Sequence, residues 1–157
     1  MNAASVSAAA RLVLATVLAL AAIAKLRSRT TSREETIALV GAGAGPAIAS
    51  ALPFFELAIA IALLVWWSAV PGFVALALLL AFSFVVVRAQ LRRLPCPCFG
   101  GAGRGRAAGP MSLARNALLA AYAVLATASP SGAHSGATVV LTLVFGALAL
   151  GAVALSP

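Results

Sequence analysis

Apolar residues in this chain fall into five runs, at about residues 4–26, 47–67, 73–90, 112–128 and 137–155. Each is close to the ~20 residues that a helix needs to cross a bilayer's hydrocarbon, so the pattern predicts five transmembrane helices. The stretch GAGAGP at 41–46 and SPSG at 129–132 carry turn chemistry before the second run and after the fourth, and Pro71 with Gly72 punctuates a tight connection after the second. Trp66 and Trp67 suit either an interfacial belt or a packed core. The first run has a rival reading as a secretory signal, with Arg11 ahead of an apolar stretch that ends in Ala-Ile-Ala before Lys25. Apolar residues upstream of Arg11 make the run longer than such a signal and favour an uncleaved span.

Composition agrees with this pattern. The 157 residues are 63% hydrophobic and only 9% charged, with a mean hydropathy of +1.10, well outside the range of soluble domains. The expected fold is all-α: a polytopic membrane helical bundle forming one integral membrane domain over residues 1–157. Its first four helices make an antiparallel unit and the fifth packs outside. The formal net charge of +8 does not indicate nucleic acid, because the basic residues sit between apolar runs and no nucleic-acid module is visible. Lys25, Arg27, Arg29 and Arg33 lie at or beyond the end of the first run, and Arg88, Arg92, Arg93, Arg104 and Arg106 at or beyond the end of the third. The positive-inside rule places both groups in the cytoplasm and the N-terminus outside, in a multi-pass protein of the cell membrane.

Both cysteines lie in one tripeptide, Cys96-Pro97-Cys98, in a loop over residues 91–111. A bond between them would staple nothing distant, which leaves a redox pair, a metal-ligand pair or two inert thiols. Pro97 holds Cys96 towards extended backbone, so the Cα separation approaches the ~6–7 Å limit for a disulfide and any bond formed is readily reduced. The neighbouring arginines favour thiolate and oppose a second cation. Zinc wants four ligands, and His134, the only histidine, lies in a loop expected on the other side.

Ionisable residues inside spans are costly and call for partners. Lys25 ends the first helix, Glu56 lies in the first half of the second, and Arg115 lies one turn into the fourth; all three are expected near the side of the basic loops. Glu56 should pair with Lys25 or Arg115, or hold a proton that it exchanges with Cys96 or Cys98. Arg11, about 20 Å along its helix from Lys25, is expected to snorkel or to contact lipid headgroups. Asn116 is a candidate for hydrogen bonding across the bundle.

The segments AAIAKLRS (21–28), LPFFELAIAIALLV (52–65), CPCFGG (96–101) and LARNALL (113–119), in this order, resemble the MauE family within the DoxX-like group of small helical membrane proteins. The resemblance runs over about residues 11–128. It implies a DoxX-like four-helix unit and a role in maturing a disulfide-rich client, the small subunit of methylamine dehydrogenase. Reducing or oxidising equivalents would pass to a thioredoxin-like partner. By the same resemblance Cys96 and Cys98 are the redox pair, supported by a polar core of Lys25, Glu56 and Arg115. Pro97 stands where glycine is expected in the family. No haem, flavin or nucleotide motif is visible, and a quinone would leave no short signature. The competing readings are a structural membrane subunit and a thiolate copper-handling protein, since Cys-Pro-Cys also occurs in the membrane helices of heavy-metal-transporting P-type ATPases.

Overall fold

The computed structural model describes residues 3–92 and 110–127, so the Cys96–Cys98 loop and the expected helix at 137–155 lie outside the described residues. The described residues form five helices and no strand: α1 (Ala3–Arg27), α2 (Arg29–Val40), α3 (Gly45–Val65), α4 (Val70–Arg92) and α5 (Pro110–Thr127). Helices α1, α3 and α4 each contain an apolar stretch long enough to cross a membrane. At 18 residues α5 is shorter, with its apolar part at Ser112–Thr127.

Helix α1 packs on α3 and on α5, α5 packs on α4, and α4 closes the ring against α3. Neighbours run antiparallel. Ser7 and Arg11, early in α1, meet Ala126 at the end of α5, whereas Lys25, late in α1, meets Glu56 of α3. Leu14 and Leu18 of α1, Ile59 and Leu63 of α3, Leu79 of α4 and Leu119 of α5 fill the centre. Alanines at 10, 15, 60, 75, 123 and 126 let the helices approach closely. The opposite faces carry exposed Phe54, Phe55, Ile61, Phe73, Leu80, Phe84 and Leu118. Such a surface would aggregate in water and suits acyl chains.

Two local readings of the sequence are corrected. The polar stretch after α1, expected as a loop, is helix α2. It buries Ser32, Thr36 and Leu39 against the bundle, and the Thr36 hydroxyl donates to the Ser32 carbonyl at 2.7 Å. Pro71 and Gly72 belong to the first turn of α4 instead of the connection before it. Proline is tolerated there because the first-turn N–H groups have no helical acceptor.

One glycine answers a backbone conformation and two answer close approaches. Gly41 ends α2 at a φ of 106°, where a side chain would be strained, and its N–H donates to the Ile37 carbonyl. At Gly45 a Cβ would stand 2.8 Å from the Ile37 Cα, so α2 could accept it only by moving away from α3. Gly45→Ala is therefore expected to cost about 1–3 kcal/mol, read as a lower midpoint of thermal unfolding in detergent. A Cβ at Gly72 would instead meet the Thr127 Cγ2 at 2.7 Å. Thr127→Ser removes that methyl and should rescue Gly72→Ala, whereas Gly45→Ala has no such side-chain remedy.

Candidate functional site

Charged and polar side chains collect at the two ends of the bundle. At the end where α1 and α4 finish and α3 and α5 begin, the last turn of α1 carries Lys25 inward. Its ammonium donates to Glu56 Oε1 at 2.5 Å. Both side chains are removed from solvent, at 3% and 0% exposure. The Lys25 Nζ also lies 5.2 Å from the centre of the Phe82 ring of α4, whose negative face suits a cation. The second carboxylate oxygen of Glu56 is buried without a hydrogen-bond partner. A desolvated ion pair of this kind contributes little net stability, but removing either partner strands a charge in apolar surroundings.

Arg115 and Asn116 enter from α5. They line a small cavity of about 20 Å³ together with Leu14, Leu18, Leu79 and Phe82, a volume that suits one water. Phe82 is thus common to the Lys25 contact and to the wall beside Arg115 and Asn116. The Asn116 amide nitrogen is buried without a hydrogen-bond partner. Of the residues singled out in the sequence, the structure joins Lys25 to Glu56 directly and sets Arg115 beside the same aromatic ring. Cys96 and Cys98 lie outside the described residues; their segment leaves α4 after Arg92 and enters α5 at Pro110, at this same end of the bundle.

The opposite end corrects the expectation for Arg11, which neither snorkels nor reaches headgroups. It is 1% exposed and binds helix ends. Its Nε donates to the Ala126 carbonyl at 3.2 Å and one terminal nitrogen donates to the Trp66 carbonyl at 3.1 Å. The other terminal nitrogen donates to the Ser68 carbonyl. Carbonyls in the last turn of a helix lack intrahelical donors and carry the negative end of the dipole, so a guanidinium placed there answers both needs. The Arg11 guanidinium also lies 5.3 Å from the Trp67 ring centre, while Trp66 stays 59% exposed. All three acidic residues, Glu34, Glu35 and Glu56, belong to the other half of the topology, so an arginine in this half had no carboxylate to pair with, although the sequence does not say which neutral acceptors it takes.

The sequence profile of the family described as methylamine utilisation protein MauE matches residues 3–129, which includes every helix described above and the cysteine loop. The chain belongs to the MauE family. No curated protein and no solved structure matches it. Membership in the MauE family, with three helices apolar and long enough to span, makes this a multi-pass membrane protein. Within a MauE-family chain, Lys25 and Glu56 form the one ion pair among the described residues, and it lies buried at the end where α4 finishes and α5 begins.

Proposed function

We propose that this protein is a membrane thiol–disulfide redox or maturation factor acting through Cys96 and Cys98. The observation that carries the reading is the MauE match, which spans a Cys-Pro-Cys segment tethered at the end of the bundle that holds the buried Lys25–Glu56 pair. One thiolate of the pair attacks the disulfide of a thioredoxin-like partner and forms a mixed disulfide. The second thiolate then displaces the partner, leaving a Cys96–Cys98 disulfide and a partner dithiol. Two electrons pass to the partner, whose two sulfurs take up from solvent the two protons that Cys96 and Cys98 released on ionising, and the reverse sequence oxidises it. In this reading Lys25, Glu56 and Arg115 form the polar core that supports the chemistry, and Glu56 exchanges a proton with Cys96 or Cys98 when it leaves its pair with Lys25. The family description supports methylamine utilisation as the setting. In this reading the final recipient is a disulfide-rich client of methylamine dehydrogenase maturation. The basic residues of α2 and of the end of α4 support a cytoplasmic position for this end of the bundle.

Maleimide mass-tagging of intact cells, with permeant and impermeant reagents, tests the reading. Cys96 and Cys98 should shift together only after reduction, and Cys96→Ser or Cys98→Ser should trap a mixed disulfide with a partner. Full labelling without reduction, with no oxidised form trapped after diamide treatment, would sink it. Cuprous copper bound stoichiometrically and lost in both serine variants would replace it with the metal-handling reading.

A further inference from the structure

A cavity of about 190 Å³ lies beside the buried ion pair, bounded by the last turn of α1, the first turn of α2 and the first half of α3. Three cations, Lys25, Arg29 and Arg33, line it with two hydroxyl-bearing residues, Ser32 and Ser50. No carboxylate does, because Glu34 and Glu35 of α2 are not among its walls and Glu56 is engaged by Lys25. Arg29 and Arg33 stand four residues apart on one helix face, where like charges repel. Among the described residues neither has a carboxylate in ion-pair range, and the first turn of α2 carries no acid. Arg29 and Arg33, both solvent-exposed, thus add positive charge that no described carboxylate balances at that place, whereas Lys25 is balanced by Glu56.

We propose that this cavity binds a phosphate group, supplied by the headgroup of an anionic phospholipid or by a free phosphate ion. Guanidinium forks match phosphate oxygens bidentately, and the Ser32 hydroxyl adds a donor at the same wall, while the Ser50 hydroxyl already donates to the Ala47 carbonyl at 2.9 Å. At ~30 Å³ per water the volume equals about six waters, enough for a phosphate and its linking carbons. Leu26, Pro53 and Phe54 supply an apolar side to the cavity, and Phe54 is itself exposed on the lipid-facing surface, so acyl chains have a path outward. Lys25 both lines the cavity and holds Glu56, so cavity occupancy and the buried pair share one ammonium. The proposal uses neither cysteine and stands apart from the thiol chemistry above.

The test uses the full chain in detergent, with native mass spectrometry for retained lipid and thermal unfolding for phosphate. Four proteins are compared: wild type, Arg29→Gln with Arg33→Gln, Ser50→Leu, and Arg88→Gln, which removes an exposed cation on α4 away from the cavity. With phosphatidylglycerol, wild type and Arg88→Gln should retain one lipid per chain. The double variant and the cavity-narrowing Ser50→Leu should lose it by about tenfold, and phosphatidylcholine should not be retained. If no lipid is held but inorganic phosphate raises the unfolding midpoint of wild type and not of the double variant, the source is free phosphate and the site stands. Equal retention and equal midpoint shifts in wild type and the double variant would overturn it. So would an equal loss in Arg88→Gln, or full retention in Ser50→Leu, which would place the anion elsewhere.

Discussion

Glu56→Ala is expected to lower the thermal unfolding midpoint in detergent by on the order of 10 °C, and Lys25→Met should do much the same. Each single variant removes one member of an ion pair whose side chains are 0% and 3% exposed. The surviving buried charge would lose its only ion-pair partner among the described residues, at a cost of about 3–5 kcal/mol. Lys25→Met combined with Glu56→Leu removes both charges at similar volume and should recover most of the lost stability. A double variant no better than either single would mean that the pair acts through more than its mutual attraction. The same double variant separates folding from chemistry: if the pair supports thiol exchange, the restored fold will cycle its cysteines poorly.

The four helices of the ring were readable as apolar runs because a bilayer imposes a minimum length that soluble folds do not. Helix ends were less so, since Gly45, Pro46, Pro71 and Gly72 read as turn residues and lie in the first turns of α3 and α4. First turns tolerate a missing N–H, which blurs the distinction between a turn and a helix start. Helix α2 was hidden for a different reason: two of its three buried residues, Ser32 and Thr36, are hydroxyl-bearing, so the stretch shows no apolar stripe. Glu56 announced its need for a cation by lying inside a span, yet Lys25 and Arg115 both belong to the same end, and only the fold assigns Lys25 to it. Arg11 was misread because its acceptors are main-chain carbonyls, which no residue identity encodes. The cavity beside Arg29 and Arg33 depends on α2 being a helix packed on α3, and so could not be read before α2 itself.

Arg11→Met should be at least as damaging as loss of Glu56, and its effect should appear at the other end of the molecule. Three carbonyls, from Trp66, Ser68 and Ala126, accept from one guanidinium, joining the α3–α4 connection to the end of α5 through α1, and the Trp66 carbonyl also accepts from the Ser68 N–H at 2.9 Å. Hydrogen bonds to a charged group are worth about 1.5–3 kcal/mol each, and a shared donor makes them less than additive, so a total of roughly 3–5 kcal/mol is expected. Arg11→Lys keeps the charge but loses the fork and should recover only part of this, because one ammonium does not span three acceptors on two elements. Ser7→Ala is a mild control, since its hydroxyl only adds a 3.4 Å contact to the Ala126 carbonyl that Arg11 already serves. Trp67 provides a local readout, with the guanidinium 5.3 Å from its ring centre. In a Trp66→Phe background, Arg11→Met should change Trp67 emission below the unfolding transition, whereas Glu56→Ala should leave it unchanged. Identical emission in both would mean that Arg11 does not organise this end, and that the three carbonyls find other donors when it is gone.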